Sequence, residues 1–426
     1  MWKIIYNLLT FCALPVFVVI GLTNTKMKKN FRGRLFPSTE GVQSAGACMI
    51  HGASIGEAII AQSVADYLAA NGGPDHFLFT TNTSYAREML DTRQGGRKGR
   101  TVASMPFDLR FSVARFLDYH RPSVILIVET EIWPNLIWEA GKRSVPIIIL
   151  NGRISDRTLA TYRRLSPFMR SALDGIDAVI AQSEEHGHRF VSIGMDPERV
   201  FVTGNIKYYR PAAEGHRDTS TREKIITFGS VKEKELEEIY AAIALLKKDL
   251  PGYRYFIAPR ELHLAASIEK DLSNTLRIAR YSKIKEGADD TAELVVVDTV
   301  GDLTGIYARS RAAFVGGSLA PYGGQNMLEP LFVGTPVLFG PFTENFRDIA
   351  RAILDRKAGI LVRNGTDIHL AITNLIGDDT LYSSTRAAGF DIVADQRHVM
   401  EETAGIIMDV LERKRTWTGD SSGSIR

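Results

Sequence analysis

The sequence predicts an α/β protein of two doubly wound domains, and three observations carry that reading. Short runs that are apolar at nearly every position recur along the chain: "ACMI", "FLFTT", "SVILIV", "PIIIL", "DAVIAQ" and "VFVTG", then "KIITFG", "YRYFIAP", "ELVVVD", "AAFVGG" and "TPVLFG". Helical stretches such as "SYAREMLD" and "FSVARFLDYH" separate them, so the runs read as parallel strands buried by helices on both faces. A polar stretch containing proline, "YYRPAAEGHRDTSTR", interrupts the alternation once and reads as a linker. The expected division is 1–34 a membrane anchor with a basic flank, 35–207 a first domain, 208–222 the linker, and 223–414 a second domain with a final helix. Residues 415–426 form a Ser/Gly/Thr-rich tail expected to be disordered.

At 426 residues the chain exceeds one ordinary core, and 45% hydrophobic with 24% charged residues is a globular balance. A net charge of +3, spread without an aromatic platform, argues against nucleic acid as a partner. The two cysteines, Cys12 and Cys48, offer neither metal-type spacing nor a disulfide framework and suit a reducing compartment. No metal site and no cofactor is read.

Ile4 to Leu22 carries no charge, about the ~20 residues that one membrane span takes. Lys26, Lys28, Lys29, Arg32 and Arg34 follow it and place the next domain on the cytoplasmic side. Asn7, Thr10 and Pro15 weaken the span, which leaves a helix lying in the membrane interface as the alternative.

In open α/β sheets ligands bind beyond the carboxyl ends of the strands, so functional residues should follow the runs. After "ACMI" comes "HGASIGEAIIAQ", with Glu57 in the first turn of a helix whose Ile60, Val64 and Leu68 share a face. A carboxylate there is held ionised by the helix start and can accept a proton. A plain helix-capping acid is the competing reading. "SVILIV" ends in "ETEIWPN", where Glu129 and Glu131, two apart in an extended chain, would point the same way. "PIIIL" ends in "NGRIS", with Asn151 and Arg153 at the rim. In the second half, Gly229-Ser230 and Arg260 follow strands, and "AAFVGGSLAPYGGQNMLEP" brings Gly316, Gly317, Gly323 and Gly324 before Asn326 and Glu329. Glycine-lined N–H groups can cradle a phosphate, and a carboxylate one turn later can take ribose hydroxyls. Neither GxGxxG nor GxxxxGK[ST] is present, against a standard dinucleotide or P-loop site. "RQGGRKGR", with Arg93, Arg97, Lys98 and Arg100, reads as a loop able to meet lipid phosphates or plain solvent.

"HGASIGE", "ETEIWPN", "NGRIS", "TGNIK", "FVGGSLAPYGGQNMLEP" and "GTPVLFGPFTENF", in that order, resemble the 3-deoxy-D-manno-octulosonic acid (Kdo) transferases, membrane-associated bacterial enzymes of lipopolysaccharide assembly. The resemblance spans nearly the whole chain. It implies the GT-B architecture, two Rossmann-like domains facing a cleft, with CMP-Kdo as donor, the tetra-acylated lipid A precursor as acceptor, and no metal. It also implies Glu57 as general base, a required acid among Glu129 and Glu131, and Ser54, Gly56 and Arg153 on the acceptor side. Ser230, Arg260, Gly317, Ser318, Gly324, Asn326 and Glu329 are the implied donor-binding residues. The working place implied is the cytoplasmic face of the inner membrane. Three positions depart from the family pattern: Gln325 stands where His is common, Glu261-Leu262 where His-Pro often follows Arg, and Tyr209 where Asp is usual. The competing readings are another GT-B nucleotide-sugar enzyme, a UDP-sugar transferase or an epimerase, and a membrane-anchored binding module without turnover.

Overall fold

The computed structural model describes residues 1–23, 25–37, 44–94, 96–209, 222–288 and 291–419, with backbone alone at 17, 20, 22, 25–29 and 414–419. The chain divides into two compact units, one of Met1–Arg210 with Gln396–Arg426, the other of Pro211–Asp395. Most of the expected linker, 210–221, lies outside the described residues, as do 420–426 of the expected tail.

The first unit is built on β1 (Cys48–His51), β2 (Phe77–Thr81), β3 (Arg100–Ser104), β4 (Val124–Val128), β5 (Ile147–Gly152), β6 (Ala178–Ala181) and β7 (Val200–Val202). They form one parallel sheet in the order β3-β2-β1-β4-β5-β6-β7, with Cys48 opposite both Phe77 and Val124. Successive side chains alternate between the sheet's faces. Cys48 and Ile50 join Ala61, Val64 and Leu68 of the helix Ile55–Ala70, while Met49 joins Val113, Phe116 and Leu136 on the other face. The second unit repeats the scheme with β8 (Ile225–Val231), β9 (Arg254–Pro259), β10 (Ile278–Arg280), β11 (Leu294–Val296), β12 (Ala312–Val315), β13 (Val337–Phe339) and β14 (Gly359–Leu361), in the order β10-β11-β9-β8-β12-β13-β14. Each sheet therefore reverses its winding once, between β1 and β4 and between β8 and β12, and such switch points open a crevice at the strands' carboxyl ends.

Three strands have no counterpart among the apolar runs: β3, β10 and β14, all only partly buried and all at a sheet edge. An edge strand covers less apolar surface and so leaves a weaker pattern. Because β3 begins at Arg100, the expected solvent loop is shorter than its sequence suggested. Arg100 lies 4.4 Å from the Phe77 ring and pairs with Asp66 at 3.1 Å, and Arg97 pairs with the same acid at 3.3 Å.

The final helix also divides differently from the sequence reading, which gave it to the second domain. It runs from Asp379 to Gly419, and from Gln396 onward it belongs to the first unit. Val399, Met400, Ile407 and Leu411 enter the same core as Cys48 and Ile50.

The N-terminal segment is a helix, Trp2–Thr23, followed by a second, Thr25–Leu35. Among the described residues no helix is long and apolar enough to cross a membrane, which does not support the expected span. One face of Trp2–Thr23 is spent on the first unit. The Tyr6 hydroxyl donates to Asp108 at 2.9 Å, its ring meets Trp138 and Phe168 at 5.8 and 5.6 Å, and Leu14 and Val18 pack on Phe31, Leu35, Phe107 and Leu109. The outer face exposes Ile4, Leu8, Phe11 and Val16. Arg32 is exposed; the side chains of Lys26, Lys28 and Lys29 lie outside the described residues.

Because the C-terminal helix completes the first unit's core, Ile407→Ala should destabilise that unit by about 2–5 kcal/mol, the usual cost of emptying a buried Ile site. The midpoint of urea unfolding followed by a probe in that unit checks it.

Candidate functional site

At the β1/β4 switch point the first unit assembles three carboxylates. Gly52 lets the chain turn sharply after β1, since a Cβ there would sit 2.8 Å from the Ala58 nitrogen. Ser54 then caps the helix Ile55–Ala70, its Oγ accepting from the Glu57 N–H at 3.3 Å. The Glu57 carboxylate folds back, accepting from the Ala53 N–H at 2.8 Å and the Ser54 hydroxyl at 2.7 Å. The capping geometry considered from the sequence is thus present, and it fixes the orientation of a partly exposed carboxylate. Gly56 is an exposed residue of that first turn.

Glu129 and Glu131 do not share one environment. Glu129 has a left-handed backbone, φ 62°, with its N–H donating to the Leu150 carbonyl at 2.7 Å, which breaks the extended alternation that would have aligned the pair. A single Glu131 oxygen, Oε2, accepts from Trp133 Nε1 at 3.0 Å, Asn82 Nδ2 at 3.1 Å and His51 Nε2 at 3.3 Å. The fully buried His51 turns Nδ1 to the Thr80 hydroxyl at 3.0 Å and the Thr80 carbonyl at 3.2 Å, which holds its Nε2 toward Glu131. Arg34 extends the network, with Nη2 donating to Asn82 Oδ1 at 3.0 Å and Nε to the Met105 carbonyl at 2.8 Å. Burial lowers the Arg34 guanidinium to about 10, against the upward pull of Glu131.

These surroundings separate the two acids. Burial pushes the Glu129 carboxyl above the usual range; Arg153 and Lys207 oppose the rise, while Glu57 and Glu131 add to it. Burial also pushes Glu131 upward, but His51, Trp133 and Asn82 outweigh it and hold the group below the usual range. Neighbouring carboxyls pushed apart in this way supply one charged and one protonated group over the same pH interval.

Two other expected rim residues behave differently from each other. Asn151, also left-handed at φ 55°, is buried: its Oδ1 accepts from the Ile206 N–H at 2.9 Å and its carbonyl from Gln182 at 3.0 Å. It shapes the turn that carries Lys207. Arg153 is exposed, and its backbone is tied to the Thr130 hydroxyl.

In the second unit, at the β8/β12 switch point, Ser230 is left-handed at φ 55° and partly exposed. Arg260 is exposed, with its N–H donating to the Val231 carbonyl at 2.8 Å. The glycine-rich turn departs from the sequence reading. Its amides are taken by Glu235, a fully buried carboxylate: Gly317 N–H donates at 2.7 Å, and Ser318 and Leu319 N–H at 2.8 Å each, with Lys232 N–H at 2.9 Å. The Ser318 hydroxyl is also committed, donating to the Val315 carbonyl at 2.6 Å and accepting from the Gly340 N–H at 2.8 Å. Gly317 and Ser318 therefore build the turn, with their N–H groups spent on Glu235. Gly324, at φ 82°, closes it by donating to the Gly317 carbonyl at 2.7 Å. Asn326 and Glu329 are partly exposed, Asn326 Oδ1 accepting from the Leu328 N–H at 3.2 Å where the helix Leu328–Phe332 starts. Beside them, Lys232 pairs with Glu261 at 2.7 Å and lies 5.0 Å from the Tyr322 ring, so the Glu261 departure comes with a lysine partner.

Sequence reasoning missed His51, Asn82, Trp133, Arg34 and Glu235. His51 was the only one with a local signal, a lone histidine ending an apolar run. Trp133 stands two residues from Glu131 within "ETEIWPN", and Asn82, Arg34 and Glu235 matter through contacts between distant segments.

Two outcomes follow from this geometry. A carboxyl raised in the folded state costs stability as pH rises from the unfolded value near 4.3 through the folded one. Glu129→Gln should therefore remove a downward slope of stability over that interval and raise the melting temperature at neutral pH, as read by calorimetry across pH. Glu235→Gln, which turns an NH2 toward backbone N–H donors, should cost roughly 3 kcal/mol or more, from the loss of two charge-assisted bonds. Urea unfolding of the second unit measures it.

The family model described as "3-Deoxy-D-manno-octulosonic-acid transferase (kdotransferase)" matches residues 29–210. The chain is 33% identical over 318 residues to a 3-deoxy-D-manno-octulosonic acid transferase of Bordetella pertussis, covering 72% of this chain and 74% of that one. It is 27% identical to the transferase of the same name from Haemophilus influenzae, covering 97% of this chain and all of the relative. A bifunctional glycosyltransferase/methyltransferase of Fusobacterium nucleatum is 30% identical across 93% of this chain, which spans only 63% of that longer protein. Among solved structures, UDP-GlcNAc 2-epimerase from Neisseria meningitidis has a like fold, with TM-score 0.58 at 15% identity over 86% of this chain and all of that one.

Proposed function

We propose that this chain, which belongs to the 3-deoxy-D-manno-octulosonic acid transferase family, moves Kdo from CMP-Kdo to the tetra-acylated lipid A precursor. The chain is a glycosyltransferase. The observation that supports a displacement at an anomeric carbon is the rim of Glu57, Glu129 and Glu131, where the surroundings hold the Glu131 carboxyl below its usual range and push its neighbour Glu129 above it. Glu57, aimed by Ala53 and Ser54, takes the proton of the attacking acceptor hydroxyl. The Glu131 carboxylate, fixed by three donors, opposes the positive charge that develops on the sugar as the bond to phosphate breaks. Arg153 and Lys207 offer charge to the acidic Kdo or to the acceptor. In the second unit Ser230, Arg260, Asn326 and Glu329 bind the CMP part, with Glu329 on the ribose hydroxyls. A single displacement inverts the anomeric carbon, and no covalent intermediate is needed.

The proposed working place is the cytoplasmic face of the bacterial inner membrane. Ile4, Leu8, Phe11 and Val16 on the outer face of the Trp2–Thr23 helix enter the membrane surface, in the manner of an interfacial helix.

The test is incubation of the purified chain with CMP-Kdo and the lipid A precursor, with products weighed by mass spectrometry. The expected result is acceptor heavier by one or more Kdo, and a Glu57→Gln variant that binds CMP normally yet turns over about a hundredfold slower or worse. Acceptor of unchanged mass with the unaltered chain would end this reading.

A further inference from the structure

Beneath the N-terminal helix runs a groove of about 1310 Å³, larger than the ~300–1,000 Å³ of common small-ligand sites. One wall is the flank of Trp2–Thr23, with Leu14 at its base and the exposed Leu8 and Phe11 at its rim; the other comes from the helices Arg110–His120 and Pro134–Lys142, with Ala114 and Trp138. Its apolar lining continues into the exposed residues Ile4, Leu8 and Phe11.

The polar edge carries an excess of positive charge. Arg110, Lys142 and Arg143 all converge on Glu139, a carboxylate whose side chain is 6% exposed. Arg143 also pairs with Asp118 at 2.8 Å, and Lys3 sits 5.7 Å from the Trp138 ring. Four cations thus face two carboxylates. The heads of Arg110 and Lys142 stay largely in water, with side chains 66% and 47% exposed. An apolar floor beside surplus cations fits an amphiphile with an acyl chain and an anionic headgroup. Position selects the acceptor as the source. The wall helix starts at Pro134, three residues after Glu131, and Asn135 lines the groove, so the groove opens beside the carboxylate rim and its cations lie within one wall's length of that rim. From Asn135 to Lys142 the wall is roughly 10 Å long at 1.5 Å per residue.

We propose that this groove seats an acyl chain of the phosphorylated lipid acceptor, with Arg110 and Lys142 meeting its anionic headgroup, so that part of the lipid leaves the bilayer before transfer. This rests on the acceptor reading above and adds a site to it.

Binding is tested first, without turnover, on the full chain. The probe is lysophosphatidic acid carrying a dibrominated stearoyl chain, held below its micelle concentration, and the signal is quenching of Trp138 fluorescence. Saturable quenching is expected, lost in Trp138→Phe, weakened about tenfold in Ala114→Phe, which narrows the groove, and weakened in the same direction in Leu8→Gln at an already exposed position. Quenching that is absent, or indifferent to both groove variants, overturns the proposal, as does complete displacement by millimolar inorganic phosphate, which would mark a site for the anion alone. Transfer kinetics form the second arm. Ala114→Phe should raise KM for the acylated acceptor about tenfold and leave kcat and KM unchanged for the same phosphorylated disaccharide without acyl chains. Equal losses on both acceptors contradict it. Saturable lipid binding by a chain that transfers Kdo to neither acceptor would support the groove and sink the Kdo-transfer reading instead.

Discussion

A carboxylate partly withdrawn from water has to be met by donors, and at Glu131 this requirement organises the rim of the first unit. Its donors come from β1, from the turn after β2 and from the turn after β4, with Arg34 behind Asn82. Charge-assisted bonds of this kind contribute about 1.5–3 kcal/mol each, enough to set side-chain positions across the switch point. Glu129, two residues earlier, receives no such set. The left-handed backbone at Glu129 breaks the alternation between the two acids, and burial without such donors pushes Glu129 up while the donors hold Glu131 down.

The second unit meets the same requirement with backbone. Glu235 takes four amides, three of them from the glycine-rich turn, and thereby places an internal anion where a bound phosphate was expected. The turn is preorganised before any donor arrives. Ligand groups are left to the side chains around it, Ser230, Arg260, Asn326 and Glu329, and to the Lys232–Glu261 pair.

Much of this was legible in the sequence, for identifiable reasons. Strands such as β1, β4, β8 and β12 are covered on both faces, so nearly every position is apolar and the run stands out. The rim acids follow from the rule that function collects after such strands. Other features depended on pairing that a linear reading does not contain. His51 reaches Glu131 only because β1 lies beside β4, and Glu235 reaches Gly317 only because β8 lies beside β12. The N-terminal helix shows a different limit. Its hydropathy reads as a span, while in the structure one side packs Tyr6, Leu14 and Val18 against the first unit and the other stays exposed.

The proposed chemistry depends on the separation of Glu129 from Glu131, and the direct measurement is a carbon-13 NMR titration of the glutamate carboxyls. Glu129→Gln and Glu131→Gln variants assign the two resonances. The structure predicts that Glu131 titrates below, and Glu129 above, the ordinary glutamate value of about 4.3. Coincident titrations, or Glu131 taking up its proton at the higher pH, would contradict it.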